Sequence, residues 1–194
     1  DDVHQLLGAV RENRFKAVLA LIYHCGLRVG EAVRLRPKDI DSKRGMLRVI
    51  DGKGGSNREV PMAPRMIERL RAYWCFHRNP HWLFPGVGRG WRERSRTLQA
   101  AMAAATEPMS VSSVQAALRV VVPAARIKKN ATCHTLRHSF ATHLLEEGVS
   151  IRQVSIYLGH SNLTSTMVYL HVTEISESRG REVQQRLLHY VLGS

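Results

Sequence analysis

Residues 133–143 read CHTLRHSFATH, and they are followed by LGH at 158–160 and by a tyrosine at position 169. We predict a helix over residues 134–147 that stops at Gly148, because glycine commonly ends helices. The stretch places histidine and arginine, side chains that transfer protons and bind anions, on one helix. It is therefore the first candidate for the chemistry of the chain.

The rest of the sequence predicts a mainly α-helical domain with one small antiparallel β-sheet. Two short strands at 45–50 and 58–62 are joined by a glycine-rich hairpin turn at 51–57. Pro123 is expected to end the helix that begins at 112. The further helices are predicted at 13–25, 29–35, 64–77, 97–105, 112–122, 150–158, 162–170 and 175–192.

The charge of the chain favours a polyanionic partner. Its 194 residues include 29 lysines and arginines against 16 acids, which gives a net charge of +13 and a pI near 10.5. Such an excess favours nucleic acid, because each neutralised phosphate releases condensed counterions. An acidic membrane is the weaker alternative, since no apolar run approaches the ~20 residues that a transmembrane helix needs.

The cysteine pattern indicates a reducing compartment. Cys25, Cys75 and Cys133 are odd in number and far apart, without a CxxC pair. Cys25 and Cys133 are interpreted as small buried hydrophobic residues. We expect a cytoplasmic protein and, because the chain opens with Asp1 and Asp2, a piece of a longer one.

Several motifs occur together and in one order. Residues 26–32 read GLRVGEA, a lysine lies in the hairpin, and the HTLR of 134–137 precedes the LGH motif and the late tyrosine. In this combination the chain resembles the tyrosine recombinase (phage integrase) family along nearly its whole length. The resemblance implies the catalytic fold that this family shares with type IB topoisomerases. It also implies six catalytic residues, Arg28, Lys53, His134, Arg137, His160 and Tyr169.

Arginine suits the chemistry that the resemblance implies. Attack on a DNA phosphodiester builds negative charge on the non-bridging oxygens, and planar guanidinium groups bind such oxygens in pairs. Arg28 and Arg137 are therefore expected to bind the scissile phosphate and to stabilise the transition state. By the resemblance, Tyr169 attacks phosphorus and leaves a 3′-phosphotyrosine and a free 5′-hydroxyl. The ester keeps the bond energy, so neither metal, ATP nor any other cofactor is expected.

The resemblance also implies the proton-transfer roles. His134 accepts the tyrosine proton, His160 donates a hydrogen bond to a phosphate oxygen, and Lys53 protonates the departing 5′-oxygen. Glu31 is expected to orient the helix of the GLR motif or its arginine. His138 is expected to support the site or to face DNA.

Each of these residues also has a plainer interpretation. Arg28 and Arg137 could be salt-bridge residues, and Tyr169 could be a half-buried core aromatic. His134 and His138 are four residues apart, as in a zinc-binding helix, but Arg137 lies between them and would repel a cation. The general-base glutamate of HExxH is also missing, so no metal site is expected.

Two parts of the chain are candidates for DNA contacts outside the reacting phosphate. Lys53 and Arg58 belong to the hairpin and are expected to contact DNA. The basic loop GRGWRERSR at 88–96 is a further candidate, although a solvated loop fits the pattern as well. The arginines of this loop are Arg89, Arg92, Arg94 and Arg96.

We expect residues 1–173 to form the catalytic domain and residues 174–194 to form a C-terminal helix. That helix either docks into a neighbouring protomer or packs on its own domain. The resemblance implies an N-terminal DNA-binding domain that is absent from this chain. It further implies a homotetramer on two double-stranded DNA sites, assembled from protein that is monomeric when free, on the bacterial nucleoid. The segment 73–85 is similar to integrases of bacterial mobile elements.

The function implied by the resemblance is site-specific DNA recombination, and two other functions stay open. A type IB DNA topoisomerase shares the arginines, the lysine and the tyrosine, but the HxxR and LGH motifs favour a recombinase. A catalytically inactive DNA-binding regulatory module is the other alternative. Such a module has no need of a tyrosine in the context of Tyr169.

Overall fold

The helix Asn13–Cys25 lies at the centre of the computed structural model. Its apolar face is closed to solvent, and Val18, Leu19 and Ile22 are completely buried. Apolar residues three and four positions apart share one face of a helix, and that face packs on the core. The structure describes residues 2–50, 57–127, 129–160, 162 and 164–167.

The secondary structure of the described residues is mainly helical. The helices are α1 (Asp2–Ala9), α2 (Asn13–Cys25), α3 (Val29–Val33), α4 (Pro64–His77), α5 (Trp91–Arg94), α6 (Leu98–Ala103), α7 (Val111–Ala124), α8 (Cys133–Glu146), α9 (Ile151–Leu158) and α10 (Thr164–Met167). The strands are β1 (Ile40–Asp41), β2 (Met46–Val49) and β3 (Arg58–Pro61), and a single 3₁₀ turn (Pro37–Asp39) precedes β1.

The three strands form one antiparallel sheet in the order β1-β2-β3. Leu47 pairs with Val60 in register, and both are buried, as is Val49 two residues further along β2. Side chains alternate between the two faces of a strand, so one face of the sheet packs on the core. The predicted antiparallel hairpin is confirmed for its two strands, and its turn at 51–56 lies outside the described residues.

The helix α2 packs against α4 and α8, which brings the GLR motif next to the helix of the HTLR motif. Helices α2 and α8 come very close at Gly26, which ends α2 with a left-handed φ of 61°. A Cβ at this position would lie only 2.3 Å from Cδ1 of Phe140. Glycine is therefore required here both by the backbone conformation and by the close approach of α8.

Some local predictions were wrong. The helix α7 continues through Pro123 to Ala124, because a proline in the last turn removes only one of the final hydrogen bonds. The basic loop at 88–96 contains the short helix α5. The helix α1 and the strand β1 were not predicted, since eight and two residues are too few for a clear periodic pattern.

The predicted fold class is confirmed, as is the extent of α2 and α4, whose bounds agree with the prediction. The helix predicted at 162–170 is described only as α10, and the helix predicted at 175–192 lies outside the described residues. Within the described part of the chain, no helix is long and apolar enough to cross a membrane.

Candidate active site

The side chain of Arg137 joins two helix ends from distant parts of the chain. Its Nη1 donates to the carbonyl oxygen of Gly26, and its Nη2 donates to that of Leu158, each at 2.8 Å. These carbonyls belong to the C-terminal ends of α2 and α9, where backbone acceptors lack partners within their own helices. A buried cation at two negative helix ends is well placed electrostatically. The arginine of the HTLR motif is thus built into the fold.

The carboxylate of Glu31 lies among three arginines from different parts of the chain. Its carboxylate accepts from the backbone N–H of Arg28 at 2.7 Å and from Nη1 of Arg28 at 3.0 Å. It also accepts two hydrogen bonds from Arg58, at 2.9 and 2.7 Å, and lies 3.8 Å from Nη1 of Arg137. Burial by itself would raise the pKa of Glu31, but the hydrogen bonds and charges of these arginines lower it overall. Glu31 therefore binds these arginines as an ionised carboxylate.

Arg58 occupies a position that its predicted role did not anticipate. We predicted a DNA contact, but only 4% of its side chain is exposed. Besides the pair with Glu31, its Nε donates to the carbonyl oxygen of Tyr157 at 2.7 Å. A side chain that is buried and bonded in this way is not on the solvent-facing surface, so the predicted role of Arg58 is corrected to that of a brace between β3, α3 and α9.

The brace also explains the glycine of the LGH motif. Gly159 ends α9 with a φ of 66°, in the left-handed region. A Cβ there would lie 2.9 Å from Cδ and Nη1 of Arg58. The buried guanidinium and the helix end can share this space only if residue 159 has no side chain.

His160 follows directly and has two polar partners. Its Nε2 lies 3.2 Å from Nη2 of Arg137, and its Nδ1 lies 2.8 Å from Oγ1 of Thr166. Burial, followed by the electrostatic effects of Arg137, Arg28, Arg58 and His134, lowers the pKa of His160 to about 4. The ring is therefore neutral at pH 7.

His134 lies in the first turn of α8, where its side chain is exposed. Thr132 caps this helix by accepting a hydrogen bond from the backbone N–H of Thr135 at 3.2 Å. His138 lies one turn further and is half-buried, and burial followed by the charge of His134 lowers its pKa. The expectation that His134 accepts a proton and that His138 supports the site stays a prediction.

The two cysteines next to these motifs are buried, as expected. Burial raises the pKa of the Cys25 thiol to about 12 and that of the Cys133 thiol to about 11. Neither is poised as a thiolate, which agrees with the role of a small hydrophobic residue.

Lys53 and Tyr169, the remaining predicted catalytic residues, lie outside the described residues. Arg28, Glu31, Arg137 and His160 are joined by hydrogen bonds and ion pairs in one region, and His134 is close enough to affect the pKa of His160. Three guanidinium groups there, those of Arg28, Arg58 and Arg137, are balanced by a single interacting carboxylate among the contacts described above. The charges of Arg28, Arg58 and Arg137 also lower the pKa of His160, so the potential at this ring is positive and can attract an anion such as a phosphate diester.

The arginines of the basic loop are exposed, but they are not equivalent. Nη2 of Arg94 donates to the carbonyl oxygens of Arg89 and Val87, at 3.0 and 3.4 Å, and so holds the loop. The guanidinium of Arg92 lies over the ring of Trp91, 4.7 Å from its centroid. The loop faces the start of α7 across an open cleft.

The sequence did not indicate two of the structural contacts at this site. Arg58 and Glu31 are 27 residues apart in different motifs, and nothing local marks them as partners. Thr166 lies six residues after His160 in a polar stretch, where a hydrogen-bonding threonine has no distinctive pattern.

The comparison with known proteins agrees with this geometry. Residues 1–175 match the model of the phage integrase family. The tyrosine recombinase XerC of Chlorobaculum tepidum is 42% identical over 161 residues, which cover 82% of this chain and 46% of that protein. A tyrosine recombinase of Thermosipho africanus is 36% identical over 177 residues, 90% of this chain and 56% of that protein. The chain thus spans about half the length of these curated relatives.

A solved structure shows the same fold. The crystal structure of XerA recombinase superposes with a TM-score of 0.74 at 28% identity, and covers 96% of this chain and 63% of the XerA chain. The motifs, the mainly helical fold with its small antiparallel sheet and the family match agree with one another. The chain belongs to the phage integrase family.

Proposed function

We propose that this chain is the catalytic domain of a tyrosine recombinase, which cuts and rejoins DNA through a 3′-phosphotyrosine. The observation that carries the proposal is the convergence of three motifs on one region. The arginine of the HTLR motif bonds to the glycine of the GLR motif, 111 residues away, and to the leucine and histidine of the LGH motif.

The charges of the site support phosphate binding. The side chain of Arg28 is 48% exposed, whereas that of Arg137 is 3% exposed. Arg28 can therefore contact a DNA phosphate at the surface, while the buried guanidinium of Arg137 adds positive electrostatic potential beneath it. Such preorganised charges stabilise the negative charge that develops at phosphorus without having to reorganise during the reaction.

The individual roles follow from the motifs. Tyr169 is the proposed nucleophile, and His134 the acceptor of its proton. Lys53 is the proposed acid for the 5′-oxygen, and His160 donates a hydrogen bond to a phosphate oxygen. No cofactor takes part in this scheme, because the phosphotyrosine ester conserves the energy of the cleaved bond.

The proposed partner is double-stranded DNA, and the proposed acting unit is a homotetramer on two DNA sites. Residues 174–194 are the proposed contact between protomers, and residues 1–173 the catalytic domain. The net charge of +13 supports the partner class. The names of the relatives, tyrosine recombinases, support the reaction.

Trapping of the covalent intermediate tests the proposal. The chain, and any longer natural protein that contains it, is incubated with supercoiled DNA in excess EDTA, stopped with SDS and examined for protein–DNA adducts. We expect an adduct that Tyr169→Phe abolishes. Tyr157→Phe, which removes a hydroxyl from a half-buried tyrosine of the same domain, is the control and should retain it.

The outcomes separate the alternatives. An adduct that survives Tyr169→Phe, or none from the active longer protein on its own recombination site, contradicts the mechanism. If an adduct forms, a two-site exchange assay separates a recombinase from a topoisomerase, because the latter relaxes DNA as a single protomer without exchange between sites.

A further inference from the structure

The two ring nitrogens of His160 have different kinds of partner. Arg137 is a guanidinium, which donates hydrogen bonds and never accepts them. Its Nη2 lies 3.2 Å from Nε2 of His160, so Nε2 must be the unprotonated nitrogen of the neutral ring. The proton is then on Nδ1, and the hydroxyl of Thr166, 2.8 Å away, accepts it.

Thr166 is held firmly enough to serve as the acceptor of the Nδ1 proton. It is completely buried, and it lies in α10, which packs on α9. The turn that leads into α10 is held by Asn162, whose Oδ1 accepts from the backbone N–H and the hydroxyl of Thr164, at 3.0 and 2.9 Å. The Thr166 hydroxyl is thus presented to His160 by the packing of α10 on α9 and by the turn that precedes α10.

The charged groups around His160 oppose a second proton on the ring. Arg137 and His134 face it from α8, Arg28 from the segment before α3, and Arg58 from β3, and all of them favour the neutral form. A neutral ring that is to donate from Nε2 to a phosphate oxygen must lose its proton from Nδ1. Its partner at Nδ1 must then change from acceptor to donor.

A hydroxyl can make this change by rotating about its C–O bond, whereas a carbonyl or carboxylate can only accept. We propose that Thr166 is a positioning residue for either tautomer of His160: it accepts the Nδ1 proton without DNA, while Arg137 donates to Nε2, and it donates to Nδ1 when Nε2–H binds a phosphate. In this exchange Nδ1 releases one proton to solvent and Nε2 takes one up, so the net charge of the ring does not change. The second half of the proposal rests on the proposed function, and the first half does not.

Nitrogen-15 NMR of the histidine side chains tests the first half on the 194-residue chain without DNA. Because Arg137 donates to Nε2, we expect His160 to be the Nδ1–H tautomer in the wild type, in Thr166→Ser, which keeps the hydroxyl, and in Thr166→Val, which is nearly isosteric but lacks it. In Thr166→Val no hydroxyl accepts the Nδ1 proton, so we expect this proton to exchange with solvent several times faster than in the other two proteins. An Nε2–H ring in the wild type, or equal exchange of the Nδ1 proton in all three proteins, would overturn the proposal.

The second half is tested with DNA that yields the covalent adduct. In the Tyr169→Phe background, binding of that DNA should move the proton of His160 from Nδ1 to Nε2, and a doubly protonated ring would contradict this. With Tyr169 present, Thr166→Val should slow adduct formation by about tenfold to a hundredfold, the scale for losing a group that orients a functional histidine. Thr166→Ser should restore most of the rate, and equal rates for all three proteins would also refute the proposal.

Failure of the proposed function gives a different pattern. If no Tyr169-dependent adduct forms, the recombinase assignment fails, while the exchange of the Nδ1 proton measured without DNA still decides whether Thr166 positions His160. If the adduct forms but that exchange does not depend on the hydroxyl, only the role of Thr166 is lost.

Discussion

Arg58 donates two hydrogen bonds, of 2.9 and 2.7 Å, to the two carboxylate oxygens of Glu31, and both side chains are almost closed to solvent. Arg58 begins the strand that follows the hairpin of Lys53, and Glu31 lies in the helix that follows Arg28. The pair therefore connects two segments that are expected to act on the same phosphate.

Arg58→Met should destabilise the protein by about 3–5 kcal/mol, because it leaves the buried Glu31 carboxylate without its main partner. Urea unfolding measures the loss. Arg44→Met is the matched control, since Arg44 makes a similar bidentate pair with Glu59, but at the exposed surface. Its unfolding midpoint should hardly change. Equal effects of the two substitutions would show that burial of the Arg58 pair does not matter.

Gly159→Ala should destabilise the protein by at least about 1–2 kcal/mol, the cost of a side chain in the left-handed conformation. The added Cβ would also push against Arg58. Gly8→Ala is the control, because Gly8 lies in α1 with open space around it, and it should stabilise by about 0.5–1 kcal/mol. Thermal unfolding of the two variants should therefore shift in opposite directions, and a shift in the same direction would contradict the close contact at Gly159.

Arg28→Lys and Arg137→Lys should separate catalysis from folding. Lysine keeps the charge but lacks the planar fork, so Arg28→Lys should slow adduct formation by about a hundredfold with little change in unfolding. Arg137→Lys cannot bridge Gly26 and Leu158 in the same way and should also cost about 2 kcal/mol of stability. The measurements are single-turnover adduct rates and urea midpoints. A loss of stability in Arg28→Lys as large as in Arg137→Lys would argue against the separation.

The stability of the protein should fall as the pH drops from about 6.5 towards 4. Burial lowers the pKa of His77 to about 4, and burial together with the neighbouring arginines lowers that of His160 to about 4, whereas a histidine in the unfolded chain titrates near 6.5. Between these values the unfolded state binds more protons, so the contribution of the neutral rings is present above pH 6.5 and is lost as the pH falls through the folded pKa. Thermal midpoints measured from pH 7 to pH 4 should show this decline.

His77→Gln should reduce that pH dependence, whatever its effect on the midpoint at pH 7. Nδ1 of His77 accepts a hydrogen bond from the backbone N–H of Asn79 at 3.0 Å, and protonation would break it. His81→Gln, at an exposed position nearby, is the control and should keep the decline of the wild type. Parallel curves for the wild type and His77→Gln would exclude His77 as a source of the decline.

The arginines of the basic loop should contribute to the salt dependence of DNA binding. If Arg92 or Arg96 contacts one phosphate, its replacement by alanine should reduce the slope of log K against log salt by about 0.9. Arg94→Ala should have a second effect, because Arg94 also holds the loop through two carbonyl oxygens. Arg71→Ala on α4, with the same change in charge, is the control. Slopes equal to that control would leave the loop as a solvated surface.

Local sequence was sufficient for the main elements. The apolar periodicity of α2 and α4 and the glycine after α2 mark those helices, because a helix is defined by interactions between residues three and four apart. Pro123 misled the prediction for α7, since the cost of a proline depends on how many turns follow it. The order of motifs was enough to indicate the family and its reaction.

The partners of the site residues depended on the folded chain. Arg58 resembles a surface arginine of a hairpin in sequence, and only the packing of β3 against α9 buries it beside Glu31. The neutral state of His160 and its contact with Thr166 likewise arise because α8, α9 and α10 meet at one place. Periodicity records which side of an element faces the core. It does not record which distant side chain packs against that side, because burial and hydrogen bonding between elements are determined only when the whole chain has folded.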